Sequence, residues 1–201
     1  MDLWQFERLA QQEGYHWVCG CDEAGAGPLA GPVYAAAVVL PMGLEIPGLN
    51  DSKKLTEHRR EQLFPVIQNQ ALSWSVAWVD AEEIDRTDIL SARMKAMQLA
   101  MDGLPQMPDF ALIDGNRDKG RSFALTTPHC CIVKGDSQSA SIAAASVLAK
   151  VSRDHFMMEM SKRYPQYQFE RHKGYGTKLH YELLRIYGPS PIHRRTFLKN
   201  R

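Results

Sequence analysis

The stretch HWVCGCDEAGAGPLAGPVYAAAVVL, residues 16–40, decides how the chain folds. Residues 16–21 and 33–40 have the aromatic, β-branched and small apolar composition of strands. Between them, residues 24–32 hold three glycines and two prolines, which punctuate a chain rather than extend a ladder. Cys19 and Cys21 fall on one face of the first strand, and Asp22 and Glu23 follow it where the backbone turns to glycine. Upstream, Leu3, Phe6, Leu9 and Ala10 recur at helical spacing, so a helix is expected over 2–13, capped by Asp2 and stopped by Gly14. Downstream, Thr56 caps a helix to residue 69, with Pro65 as a kink or break, and a third strand follows over 71–79. Helix in two pieces is expected over 80–102, with Ile89, Met94, Met97, Leu99 and Met101 at its apolar positions. Short strands at 110–113 and 130–133, a long helix over 139–163 and a last helix over 177–187 complete the order. Strands first, then alternation, then helices indicate an α/β fold with a mixed central β-sheet flanked by helices.

Composition narrows the function. The 201 residues are 44% hydrophobic and 23% charged, an ordinary globular balance that excludes disorder and low complexity. No apolar run approaches the roughly 18 residues of a membrane span, and the acids near Met1 do not suit a secretory signal, so a cytoplasmic protein without membrane contact is expected. The four cysteines match neither a CxxC pair nor zinc-ligand spacing and read as buried free thiols. The net charge of +1 hides an asymmetry: residues 151–201 carry 11 Lys and Arg against 4 Asp and Glu, the remainder 13 against 19. A mildly acidic body, 1–150, with a basic helical extension, 151–201, suits a protein that holds a polyanion and keeps acids free for other work.

Four acids share a local grammar. Asp22 and Glu23 follow the first strand, Asp114 follows the strand at 110–113, and Asp136 follows the one at 130–133. Acids beside glycine at strand ends commonly form turns, but their recurrence here points to a shared purpose. If the first strand and the strand at 110–113 are parallel neighbours, Asp22 and Asp114 stand side by side in the crevice where open α/β sheets bind ligands. Carboxylates that close repel one another unless a cation intervenes. Oxygen-only donors at a half-open site suit Mg²⁺ or Mn²⁺. Three or four of them could hold two ions across the attacking and leaving oxygens of a phosphodiester.

Seven motifs occur in order: Asp22-Glu23-Ala24-Gly25, Gly27-Pro28-Leu29-Ala30-Gly31-Pro32, Leu49-Asn50-Asp51-Ser52-Lys53-Lys54-Leu55, Ile113-Asp114-Gly115-Asn116, Lys134-Gly135-Asp136-Ser137, Ser146 through Asp154, and His172-Lys173-Gly174-Tyr175. Together, and with a weaker continuation in His193-Arg194-Arg195-Thr196-Phe197, they resemble the motif series of bacterial ribonuclease HII. The resemblance implies an RNase H-like fold with a C-terminal helical extension. It implies a metal-dependent endonuclease that cuts the RNA strand of RNA–DNA hybrids and nicks DNA on the 5′ side of an embedded ribonucleotide, leaving a 3′-hydroxyl and serving ribonucleotide removal. Carried over by motif, Asp22, Glu23, Asp114 and Asp136 are the catalytic and metal-binding carboxylates, with two ions of Mg²⁺ or Mn²⁺ when substrate is bound. Asp154 also matches a family motif, but within a helix it is expected to cap or pair structurally rather than touch metal, and with Ser146 it is a weaker candidate for the site.

The family's Gly-Arg-Gly loop, whose backbone recognises the 2′-hydroxyl, here reads Gly25-Ala26-Gly27; the glycines that permit close approach are kept and the arginine is missing. Loss of that phosphate contact implies cleavage with weaker binding, or with a weaker preference for single ribonucleotides, at an unchanged reading position. Tyr175 is expected to stack on the sugar at the RNA-to-DNA junction. Asn50, Ser52, Lys53 and Lys54 are expected phosphate or ribose contacts, and His172, Lys173, Arg194 and Arg195 are assigned to the nucleic-acid surface. A monomer without a clear clamp-binding peptide is expected. The competing readings are another RNase H-fold nuclease, such as a resolvase or an HIII-type enzyme, and a non-enzymatic hybrid-binding protein, motivated by Ala26. A zinc hydrolase is disfavoured, because His172 and His180 lack a third donor at ligand spacing.

Overall fold

A computed structural model describes residues 2–49 and 55–198; Asn50, Ser52, Lys53 and Lys54 lie outside the described residues. Five strands form one mixed sheet: β1 (Val18–Ala24), β2 (Val33–Val39), β3 (Ser73–Val79), β4 (Phe110–Asp114) and β5 (His129–Ile132). Their order is β3-β2-β1-β4-β5. β2 runs antiparallel to β1 and β3, whereas β4 is parallel to both β1 and β5.

The helices are α1 (Gln5–Gln12), α2 (Glu57–Gln70), α3 (Ala81–Arg86), α4 (Ile89–Asp102), α5 (Ala140–Arg163), α6 (Phe169–His172), α7 (Lys178–Tyr187) and α8 (Arg195–Leu198). Thr56 caps α2 as expected, accepting from Arg59 N, and Ser139 caps α5, accepting from Ile142 N. Asp80 and Asp88 cap the two pieces of the 80–102 segment in the same way. Asp2 does not cap α1, which begins only at Gln5 after Trp4, because its carboxylate accepts from Trp4 N ahead of the helix. Pro65 does not break α2; buried Leu63 and Ile67 hold the helix in the cluster it shares with α5 on both sides of the proline. Leu99 is exposed, while Met94, Met97 and Met101 fill the core. α5 runs unbroken through residue 150, so the change in charge there is not a break in the chain.

Strand alternation sends β1 two ways. Cys19 and Cys21 pack with Met94, Met97 and Met101 of α4, as free thiols; burial pushes Cys19 up to about 12. On the opposite face lie Val18, Gly20 and Asp22, toward α5. A Cβ on Gly20 would sit 2.1 Å from the Ser141 carbonyl carbon and 2.2 Å from Ile142 N, so only glycine lets the start of α5 lie flat on the sheet. Buried Glu7 of α1 ties down the same helix start, accepting from Ser139 Oγ at 2.6 Å and Ser141 N at 3.1 Å. The alanine-rich run Ala143, Ala144 and Ala145 is fully buried, which brings α5 close to the strands.

Candidate active site

Asp22 and Glu23 do not follow β1 but belong to it. Pairing with Ala36 and Ala35 of β2 overrides the turn preference of acids beside glycine. β1 and β4 are parallel with Cys21 opposite Ile113, so the next residues, Asp22 and Asp114, stand side by side at the C-terminal ends. Both keep the parity that faces α5. Asp22 is 3% exposed, and Ser146 of α5 hydrogen-bonds its carboxylate. Burial, then the charges of Glu23 and Asp114, hold the Asp22 carboxyl well above the usual carboxylate range.

Glu23 has the opposite parity and turns toward α4, where Arg93 pairs with Oε1 at 2.6 Å; its buried Oε2 has no hydrogen-bond partner. Asp136 sits in a single 3-10 turn, Gly135–Ser137, after Lys134 in the left-handed region. That turn folds back on β4, with Gly135 N and Asp136 N donating to Asp114 Oδ1 at 2.7 and 3.4 Å. Asp136 is thus tied to Asp114 through its backbone, while Asp22 feels the charges of Glu23 and Asp114. Among the described residues, no three His, Cys, Asp or Glu side chains stand as a preformed ion cage. The donor set nevertheless fits a hard divalent cation: all donors are carboxylate oxygens, the Asp22 charge is destabilised by like charges, and a buried oxygen of Glu23 lacks a donor.

A cleft of about 240 Å³ opens beside Asp22 and Glu23, walled by Gly25, Ala26 and Gly27 on one side and by Ser146, Lys150, Arg60 and Tyr175 on the others. Arg60 and Lys150 are additions to the sequence reading. Lys150 lies four residues beyond Ser146, one helical turn along the same face, which is the signal that could have found it. Its Nζ stands 5.8 Å from the Tyr175 ring centroid, and the Arg153 guanidinium 5.7 Å, so a half-exposed ring is flanked by two cations. Asp154 pairs with Lys150 Nζ at 2.7 Å.

The residues assigned to the nucleic-acid surface divide. Arg195 is exposed on α8, and Lys173 is partly covered, its Nζ donating to Glu170 O at 2.8 Å. His172 and Arg194 are buried and are not on the surface, because their polar atoms are committed inside. His172 Nε2 donates to Tyr167 O at 2.9 Å, and Nδ1 accepts from Gly174 N at 3.2 Å.

His180 and His193 extend this network. His180 Nδ1 must donate to the Tyr175 carbonyl (2.9 Å), and His193 Nδ1 must accept from Ser190 N (2.9 Å), so His193 Nε2–H donates to His180 Nε2 across 3.0 Å. A proton added to any of the three would set two donors against each other. The neutral trio fixes the backbone that presents Tyr175. Burial pushes His180 and His193 down to about 4. A histidine whose folded value lies below its ordinary 6.5 takes up its proton on unfolding, so this contribution is complete above about pH 6.5 and is lost as pH falls toward 4. Thermal melts should therefore show the gap in Tm between the wild type and His193→Asn shrinking from pH 7.5 to pH 4.5. A gap independent of pH would mean that the trio is not buried neutral.

The family model described as Ribonuclease HII matches residues 19–200. A ribonuclease HII of Acetivibrio thermocellus is 50% identical over 200 residues, covering 100% of this chain and 77% of its relative. One of Endomicrobium trichonymphae is 53% identical over 197 residues, covering 98% and 92%. The crystal structure of the ribonuclease H2 from Pyrococcus horikoshii OT3 superposes with a TM-score of 0.72 at 27% identity, covering 91% of this chain and 99% of that one.

Proposed function

The chain belongs to the ribonuclease HII family and is an endonuclease of the ribonuclease H type, and on that premise we propose that it hydrolyses the RNA strand of RNA–DNA hybrids and nicks duplex DNA on the 5′ side of an embedded ribonucleotide. The products are a 3′-hydroxyl and a 5′-phosphate, and the step serves ribonucleotide removal. One observation supports this reading: the paired C-terminal ends of β1 and β4 set buried Asp22 beside Asp114, and Asp22 and Glu23 line a cleft walled by glycine backbone, two cations and an exposed tyrosine.

Asp22, Glu23, Asp114 and Asp136 would hold Mg²⁺ or Mn²⁺. Bound there, two such ions would supply an activated water and neutralise the departing oxygen of the scissile phosphodiester. The remaining work belongs to the chain. Ser146 fixes the rotamer of Asp22 through its hydrogen bond. Lys150 and Arg60 set positive charge on the cleft wall beside Ala26, where a phosphate would lie. Tyr175 offers its ring to a sugar, at a height fixed by the bonds of its backbone to His172 and His180. Gly27 leaves open space above its Cα, with nothing within 4 Å of where a Cβ would stand, so a ribose can approach the backbone closely. Without an arginine at position 26, binding rests on Lys150, Arg60 and the basic extension, and its dependence on salt reports their number.

The test is cleavage of a DNA duplex containing one ribonucleotide, beside a uniform RNA–DNA hybrid, with Mg²⁺, Mn²⁺ or chelator. A nick 5′ to the ribonucleotide, abolished by chelator, is expected. Binding without cleavage of either duplex would instead favour a hybrid-binding protein.

A further inference from the structure

Arg194 is fully buried, and among the described residues no carboxylate pairs with it. A buried cation without a direct ion-pair partner is costly; burial and neighbouring Arg153 push it down to about 9, offset only in part by the charge of Asp85. All its partners are backbone carbonyls of the 25–31 loop: Nη2 donates to Gly25 O at 2.6 Å, Nη1 to Ala26 O at 2.9 Å and Nε to Gly31 O at 2.9 Å. Its own N–H donates to Leu29 O at 2.8 Å, and the Phe197 ring covers the guanidinium at 5.1 Å. Asp85 of α3 anchors the segment from outside, accepting from Arg195 N at 2.7 Å and Thr196 N at 2.9 Å.

A trans peptide points its C=O and the next N–H in opposite directions. Drawing Gly25 O and Ala26 O inward to Arg194 therefore turns the N–H groups of Ala26 and Gly27 away from it, toward the cleft that these residues line. Neither N–H has an acceptor among the described residues. We infer that Arg194 is a positioning residue for substrate discrimination: it never touches nucleic acid, but it aims two successive backbone donors at a substrate oxygen. Arg153 completes the clamp from α5 by donating to Pro32 O, Ala30 O and Lys173 O, which locks the glycine loop to the Tyr175 loop. This assignment rests on the nucleic-acid reading of the cleft.

The test is Arg194→Lys, which keeps the charge but cannot reach three carbonyls. Fluorescence anisotropy in chelator compares a DNA duplex containing one ribonucleotide with the same duplex in all-DNA form, and thermal melting runs alongside. The preference of the wild type for the ribonucleotide should fall at least about tenfold in the variant, with affinity for the all-DNA duplex unchanged. A general structural role would instead lower both affinities together with Tm. Should Arg194→Lys fail to fold, Asp85→Ala loosens the segment from outside, and the same ratio should fall about threefold. An unchanged ratio in the folded variant overturns the assignment, as does a wild type that binds both duplexes equally. A wild type that prefers the ribonucleotide yet cuts neither duplex leaves this assignment standing and removes the nuclease reading.

Discussion

Asp22→Asn is expected to abolish cleavage while raising thermal stability. The substitution removes a buried negative charge that Glu23 and Asp114 both oppose, and it keeps a side chain that can still bond Ser146. Unfolding in chelator should move up by about 2–4 °C, the shift that roughly 1 kcal/mol makes in a domain of this size. Cleavage should fall by about 10³-fold or more, on the order of 4 kcal/mol of lost transition-state stabilisation. Melting and cleavage measured on one preparation separate the two effects. A variant with full activity would take Asp22 out of the site. A variant that melts lower would show that the fold, and not the reaction, needs the carboxylate.

The second large effect is at Gly25. Its φ of +95° lies where side chains are strained, and a Cβ there would come within 2.0 Å of Arg153 Nε and 2.4 Å of Cδ. Arg153 cannot swing aside, since it is fully buried and bound to three carbonyls. Gly25→Ala should therefore cost about 2–4 kcal/mol of stability and lower cleavage at an embedded ribonucleotide by about 100-fold, because the glycine loop and Lys173, two residues before Tyr175, share the displaced arginine. Gly27→Ala is the matched control, since its Cβ would meet nothing within 4 Å. Its stability should stay within about 0.5 kcal/mol of wild type, so any loss of cleavage reports the space a substrate needs. Equal melting temperatures for the two variants would refute the clamp at Gly25.

The sequence by itself determined the order of the main elements, the Thr56 cap and the acids to watch. Those features are local: a threonine or serine before an amphipathic run offers its oxygen to the same turn in any context, and the alternation of 16–21 already divides the first strand into two faces. The ordered motifs carried the family, because their residue types and order do not depend on knowing where the chain goes.

Pairing was decided by tertiary structure. Asp22 and Glu23 read as residues beyond a strand until β2 supplied a ladder that kept them inside it. Their opposite parities then sent one carboxylate to Ser146 and the other to Arg93, a split that no spacing rule shows without the sheet. Pro65 read as a kink or break, and packing on both sides carried the helix through it unbroken. Arg194 and His172 look like surface charge in a basic segment, yet the fold returns that segment beneath the glycine loop and spends their polar atoms on backbone. The physical reason is range: propensity and capping act within about one turn of chain, whereas Arg194 reaches Gly25 across 169 positions and has no local feature that names its partner.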